Sequence, residues 1–108
     1  MDTETIQNET SAKIAKLNDA YRRGISFTIT QGVQELHDVL GLIQAVRGYN
    51  DFNHDNDPYE EHDFGVLYWY EEKIFWKIDY YDEFRQKWCD PLDPACNRVL
   101  TIMLAEEY

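Results

Sequence analysis

The stretch Phe64–Tyr81, FGVLYWYEEKIFWKIDYY, decides the fold. Two apolar, aromatic-rich runs flank a pair of acids, Glu71 and Glu72. In the second run Ile74, Trp76, Ile78 and Tyr80 alternate with Phe75, Lys77, Asp79 and Tyr81. A period of two belongs to a strand, because successive side chains leave the pleat on opposite faces. The pattern predicts strands over Phe64–Tyr70 and Lys73–Tyr81, joined as a hairpin around Glu71-Glu72, with the Ile74 to Tyr80 set facing the core. This turn lacks the Asn-Gly or Asp-Gly pair that hairpins favour. In the first run Leu67 and Trp69 share one face, Tyr68 and Tyr70 the other. Phe64, Trp76 and Ile78 are the expected core choices.

Outward from the hairpin, helix and strand signals alternate. Ile14, Leu17 and Tyr21 stand at helical spacing, and Arg22-Arg23-Gly24 offers cations and a terminating glycine. A first helix is expected to end near Arg23, with residues 1–10 frayed. Ile25, Phe27 and Ile29 alternate with Ser26, Thr28 and Thr30, as in a half-buried strand. Gln34–Arg47 carries a stripe of Leu36, Val39, Leu40, Ile43 and Val46 closed by Gly48, a second helix with His37 packed beside it or at its rim. Tyr49–His62 is polar and aperiodic, a loop. Asp82–Asn97 is a long connection in which Asp90-Pro91 and Asp93-Pro94 can each start a short helical turn. Arg98–Ala105 is apolar on both faces and reads as a central strand, with a buried helix as the alternative. The order α-β-α-β-β-β implies an α+β fold: two helices packed on one face of a small, mostly antiparallel sheet, in a single domain over residues 1–108.

Composition narrows the function. The chain of 108 residues is 44% hydrophobic and 15% aromatic, unlike a disordered protein. It has 10 Lys and Arg against 21 Asp and Glu, a formal net charge of -11. The surplus is uneven: residues 51–108 hold fifteen acids and five bases, residues 1–50 six and five. A groove that tracks phosphates needs the opposite sign, and anionic membranes repel this one. Apolar runs such as Ile102–Ala105 fall far short of a membrane helix, and Met1-Asp2-Thr3-Glu4 does not open a secretory signal. The expectation is a cytoplasmic protein with no direct nucleic-acid partner, no membrane partner and no cofactor. Cys89 and Cys96, seven apart, fit neither a CxxC motif nor a zinc knuckle, and in that compartment both are expected reduced, a small-loop disulfide being the alternative.

Longer words carry a resemblance. Leu17-Asn18-Asp19, Asn56-Asp57-Pro58-Tyr59, Glu61-His62-Asp63-Phe64-Gly65, Phe75-Trp76-Lys77-Ile78-Asp79-Tyr80-Tyr81-Asp82 and the stretch Arg98–Tyr108 are similar to a bacterial domain-of-unknown-function family, number 3768. Its members are small acidic proteins common in alphaproteobacteria and on mobile elements. The resemblance covers most of residues 14–108 and implies a mobile-element setting but no chemistry. The chain departs from it at Glu71-Glu72, where members often have Asp-Gly, and over residues 83–96.

Three constellations could carry function. Asp51–Asp63 holds six carboxylates and two imidazoles with no Lys or Arg. As a calcium loop it fails, with Asn56 where glycine is needed and His62 where a bidentate glutamate is needed. A Zn, Mn or Fe ion on His54, Asp55, Asp57, His62 and Asp63 would make a metal-dependent hydrolase. Asp79-Tyr80-Tyr81-Asp82-Glu83 offers carboxylates and phenols at a strand end, with Lys77 on the same face as Asp79. Finally, thirteen of the sixteen aromatics lie between Tyr49 and Trp88 among eleven acids, as in a protein-binding surface steered by charge. The net of -10 over residues 51–108 matches the charge of roughly 17 Å of duplex DNA. The expectation is therefore a non-enzymatic interaction or inhibitor protein, a nucleic-acid mimic. Its partner would be basic, a nucleic-acid-binding enzyme such as a host nuclease or CRISPR-type effector. Asp51, Asp55, Asp57, Glu60, Glu61 and Asp63 would supply the field, Asp79, Asp82 and Glu83 would extend it, and Tyr59, Trp69 and Tyr81 would anchor it. The hydrolase is the alternative.

Overall fold

The computed structural model describes the backbone of residues 3–82 and 87–108, and side chains from Asn8 onward. The elements are α1 (Thr3–Arg22), β1 (Thr28–Ile29), α2 (Gln31–Gln34), α3 (Val39–Arg47), β2 (Phe64–Trp69), β3 (Glu72–Tyr81), β4 (Asn97–Leu104) and a closing 3-10 turn, Ala105–Glu107. The fold is α+β. Its mixed, mostly antiparallel sheet runs β1-β4-β3-β2, with only the β1–β4 pair parallel. No helix among the described residues is long and apolar enough to cross a membrane.

β3 lies between two partners and organises the core. Its alternation sends Ile74, Trp76, Ile78 and Tyr80 inward, where all four are buried. They pack with Leu100 and Ile102 of β4 against Ile14 of α1, Val33 of α2, Leu42, Ile43 and Val46 of α3, and Tyr49. Trp76 stands opposite Gly65 in the β2–β3 register, and a Cβ at position 65 would collide with the indole and with Tyr49. Gly65 therefore takes the core position, and Phe64 turns to the opposite face, beside Phe75 and Tyr108, contrary to the expected core choice. The central strand expected over Arg98–Ala105 is present as β4.

Other expectations shift for local reasons. The buried stripe of α1 is Ile14, Ala15, Asn18 and Arg22, while Leu17 is exposed, so Arg22 is a core residue and not one of several terminal cations. β1 is only two residues long and Ile25 is 86% exposed. The chain leaves the sheet at Thr30, whose N–H bonds the Ile102 carbonyl while its side chain caps α2. The helix expected over Gln34–Arg47 is interrupted. Asp38 adopts a left-handed φ of 54° and its carboxylate accepts the Gly41 N–H, starting α3 afresh and leaving Leu40 77% exposed. The hairpin turns at Tyr70-Glu71, with φ of 47° and 73°, one residue before the expected pair.

Cys89 and Cys96 form a disulfide, with Cα atoms 5.7 Å apart, where reduced thiols were expected. The physical reason is local. Asp90 and Asp93 each accept the N–H two residues on, folding 90–96 into two consecutive turns that bring the Cα atoms within disulfide range.

Candidate functional site

The loop that follows α3 is fastened to the edge of β2 by Tyr49. Its hydroxyl accepts the Val66 N–H at 3.1 Å and donates toward the Asp51 carbonyl at 3.0 Å. Asn53 then accepts the N–H groups of Asp55 and Asn56, and the Asn56 amide donates to the Asp51 carbonyl. These side chains do for the loop what backbone ladders do for a sheet.

Asp57 is the hinge of this arrangement. It is 4% exposed, and its Oδ1 accepts the N–H groups of Glu61 and His62 at 3.0 and 3.2 Å. Those bonds hold Glu60 and His62 in left-handed backbone, φ 58° and 56°. The His62 ring stacks flat on Phe52 at 3.8 Å. Its Nδ1 lies 2.9 Å from Asp19 of α1, and its Nε2 lies 3.7 Å from the second Asp57 oxygen. Arg22 completes the cluster from below. Its guanidinium donates to Asp19 and to the Tyr49 carbonyl and lies over the rings of Phe52 and Trp76. A cavity of about 670 Å³ opens between α1 and this loop, with Ala12, Ala15, Lys16, Asp19, Phe52, Asp57, Glu60 and His62 in its walls.

The carboxylates divide into two kinds. Burial works against ionised Asp19, but hydrogen bonds from His62 and Arg22 outweigh it and hold its pKa below the ordinary value. Glu61 and Asp63 go the other way. Burial pushes Glu61 up, helped by Asp63 and Asp57. Burial likewise raises Asp63, helped by Asp57 and Asp79. These acids are close enough to repel one another.

The expected partner-binding residues scatter over several roles. Asp51, Asp55 and Glu60 are exposed, Tyr59 is 76% exposed, and Glu61 and Asp63 are half-buried beside them. Asp57 is buried where an exposed anion was expected: its Oδ1 is committed to the backbone of its own loop, and the residue also lines the cavity against α1. Trp69 is half-buried; its indole donates to the His37 carbonyl at 2.9 Å and its ring packs by Gly41, which ties β2 to the start of α3. Asp79 pairs with Lys77 at 2.8 Å, and Tyr81 is half-buried on the same face, away from the helices. Asp82 is half-buried, with its carboxylate near the Lys87 N–H, and Glu83 lies outside the described residues. The alternative metal set of His54, Asp55, Asp57, His62 and Asp63 is not gathered: no group of three or more His, Cys, Asp or Glu among the described residues could hold a metal ion.

Sequence reasoning missed Asn18, Asp19, Arg22 and Phe52. The signal available was spacing, since Ile14, Asn18 and Arg22 follow at i, i+4 and put two polar residues on an apolar stripe.

A family model described as a protein of unknown function, DUF3768, matches residues 29–107. The chain belongs to that family. Comparisons with curated proteins and with solved structures gave no match.

Proposed function

We propose that this member of the DUF3768 family is a non-enzymatic interaction protein that presents the acidic edge around residues 51–63 to a basic partner protein. The observation that carries the reading is that Glu61 and Asp63 sit half-buried in one loop with exposed Asp51, Asp55 and Glu60, their carboxyls pushed up first by burial and then by neighbouring acids. Among the described residues no Lys or Arg pairs with them, nor with Asp51, Asp55 or Glu60. Uncompensated anions oppose folding, and a cationic surface placed against them removes that opposition. Tyr59 stands exposed in the same loop, the residue type that anchors interfaces. The partner class we favour is a nucleic-acid-binding enzyme, a host nuclease or CRISPR-type effector, whose phosphate-tracking groove presents a dense array of cations.

The test compares the chain with its Asp51→Lys/Asp55→Lys/Glu60→Lys variant as bait in an extract of its host. Basic nucleic-acid-binding proteins should be retained by the first, lost by the second, and displaced by duplex DNA. Retention of the same proteins by both baits, undisturbed by DNA, contradicts the proposal.

A further inference from the structure

We infer that the cavity between α1 and the 52–62 loop is an arginine socket, which takes the guanidinium of a side chain projecting from the basic partner. This rests on the reading that the partner is basic, and it adds where one of its cations goes. The cavity, about 670 Å³, is of the size that encloses a small ligand group.

Three features select a planar cation. The first is a flat platform. His62 lies parallel to Phe52, at an interplanar angle of 2°, and both rings line the cavity, with the imidazole still 29% exposed. Guanidinium groups stack on such surfaces, and this protein already places its own Arg22 over Phe52. The second is charge. Asp19, Asp57 and Glu60 line the cavity against one Lys, Lys16. The third is an acceptor with spare capacity. The Asp57 residue is more than nine-tenths buried and its Oδ1 is committed to two backbone N–H groups, whereas its Oδ2 makes no hydrogen bond among the described residues and stands 3.7 Å from His62 Nε2. A guanidinium can stack by its face while its in-plane donors reach carboxylates at its edge, and Asp57 and Glu60 line the same cavity as the imidazole. An ammonium is a point charge without a face to stack.

The experiment titrates the whole chain with ethylguanidinium and with ethylammonium, following the ring resonances of Phe52 and His62 by NMR. Ethylguanidinium should saturate, with shifts confined to α1 and residues 52–62, and bind at least fivefold more tightly than ethylammonium. Glu60→Gln should weaken it severalfold. Ala12→Trp, which fills the cavity from the exposed side of α1, should abolish it. Lys16→Gln, which removes the competing cation, should tighten it and serves if the tryptophan variant is poorly folded. Equal affinity for both cations, non-saturating shifts, or binding unchanged in Ala12→Trp and Lys16→Gln would overturn the socket. Failure here with capture still lost on charge reversal removes the socket and leaves the basic partner. A saturable socket with capture unaffected by charge reversal does the opposite.

Discussion

Asn18 is fully buried in α1 and makes three hydrogen bonds. Its amide donates to the Glu61 carbonyl and the Tyr80 hydroxyl, and its oxygen accepts from Arg98. One side chain thus joins the first helix, the acidic loop and two strands. Asn18→Leu keeps the branched outline and the heavy-atom count but strands all three partners, so unfolding in urea should show a loss of about 2–4 kcal/mol. A loss under about 0.5 kcal/mol, the range of an indifferent surface change, would mean that the network is not structural.

Glu61 and Asp63 behave oppositely to Asp19. A carboxyl whose folded pKa is raised favours the fold while protonated and loses that contribution as pH rises through the folded value. The Glu61→Gln/Asp63→Asn variant should therefore melt higher than the parent at pH 7, with the difference vanishing well below the ordinary values of 4.5 and 3.8. Asp19, held down by His62 and Arg22, stabilises the fold above its ordinary 3.8, and that stability is lost as pH falls through its lowered value. Asp19→Asn should flatten the acid limb of the melting profile. A double variant that melts lower at pH 7 would mean that Glu61 and Asp63 have attractive partners.

Among the elements, β3 was the most legible because every inward position from Ile74 to Tyr80 is apolar or aromatic and every outward one has a different neighbourhood. The break between α2 and α3 was not legible. The stripe from Leu36 to Val46 continues through it, and only the left-handed cap at Asp38 reveals the interruption. The hairpin turn slipped by one residue for a similar reason: Tyr70 and Glu71 adopt left-handed backbone that their side chains disfavour, and nothing in those two residue types announces it. Glu71→Gly should relieve this and stabilise the hairpin by about 1 kcal/mol in urea unfolding. A destabilised variant would indicate that the Glu71 side chain holds the turn.

The 89–96 loop is pinned twice, by its disulfide and by Arg98, which donates to the Pro91 carbonyl at 2.7 Å while bonding Asn18. Closing so short a loop removes modest unfolded-state entropy, so Cys89→Ser/Cys96→Ser should lose roughly 2–3 kcal/mol by the same assay. No loss would leave the Asp90 and Asp93 turns as the sole organisers of the loop.

Across the whole molecule the acids do not form one uniform sheet. Composition located the surplus in residues 51–108, but it could not tell an exposed anion from a structural one. Asp57 and Asp79 look like Asp55 in sequence, yet one is enclosed by its own loop and the other is neutralised by Lys77. What remains is a shorter strip from Asp51 to Asp63, with Tyr59 exposed and a cavity against α1. The apolar and aromatic face formed by Phe64, Phe75 and Tyr108 lies on the other side of the sheet from the helices.

The salt dependence of binding to a captured partner tests that account most directly, measured by titration between about 50 and 200 mM salt. The parent should lose affinity steeply over this range, and the Asp51→Lys/Asp55→Lys/Glu60→Lys variant should bind weakly at every salt concentration. Equal affinity and equal salt slope for the two proteins would show that the acidic strip is not what the partner recognises.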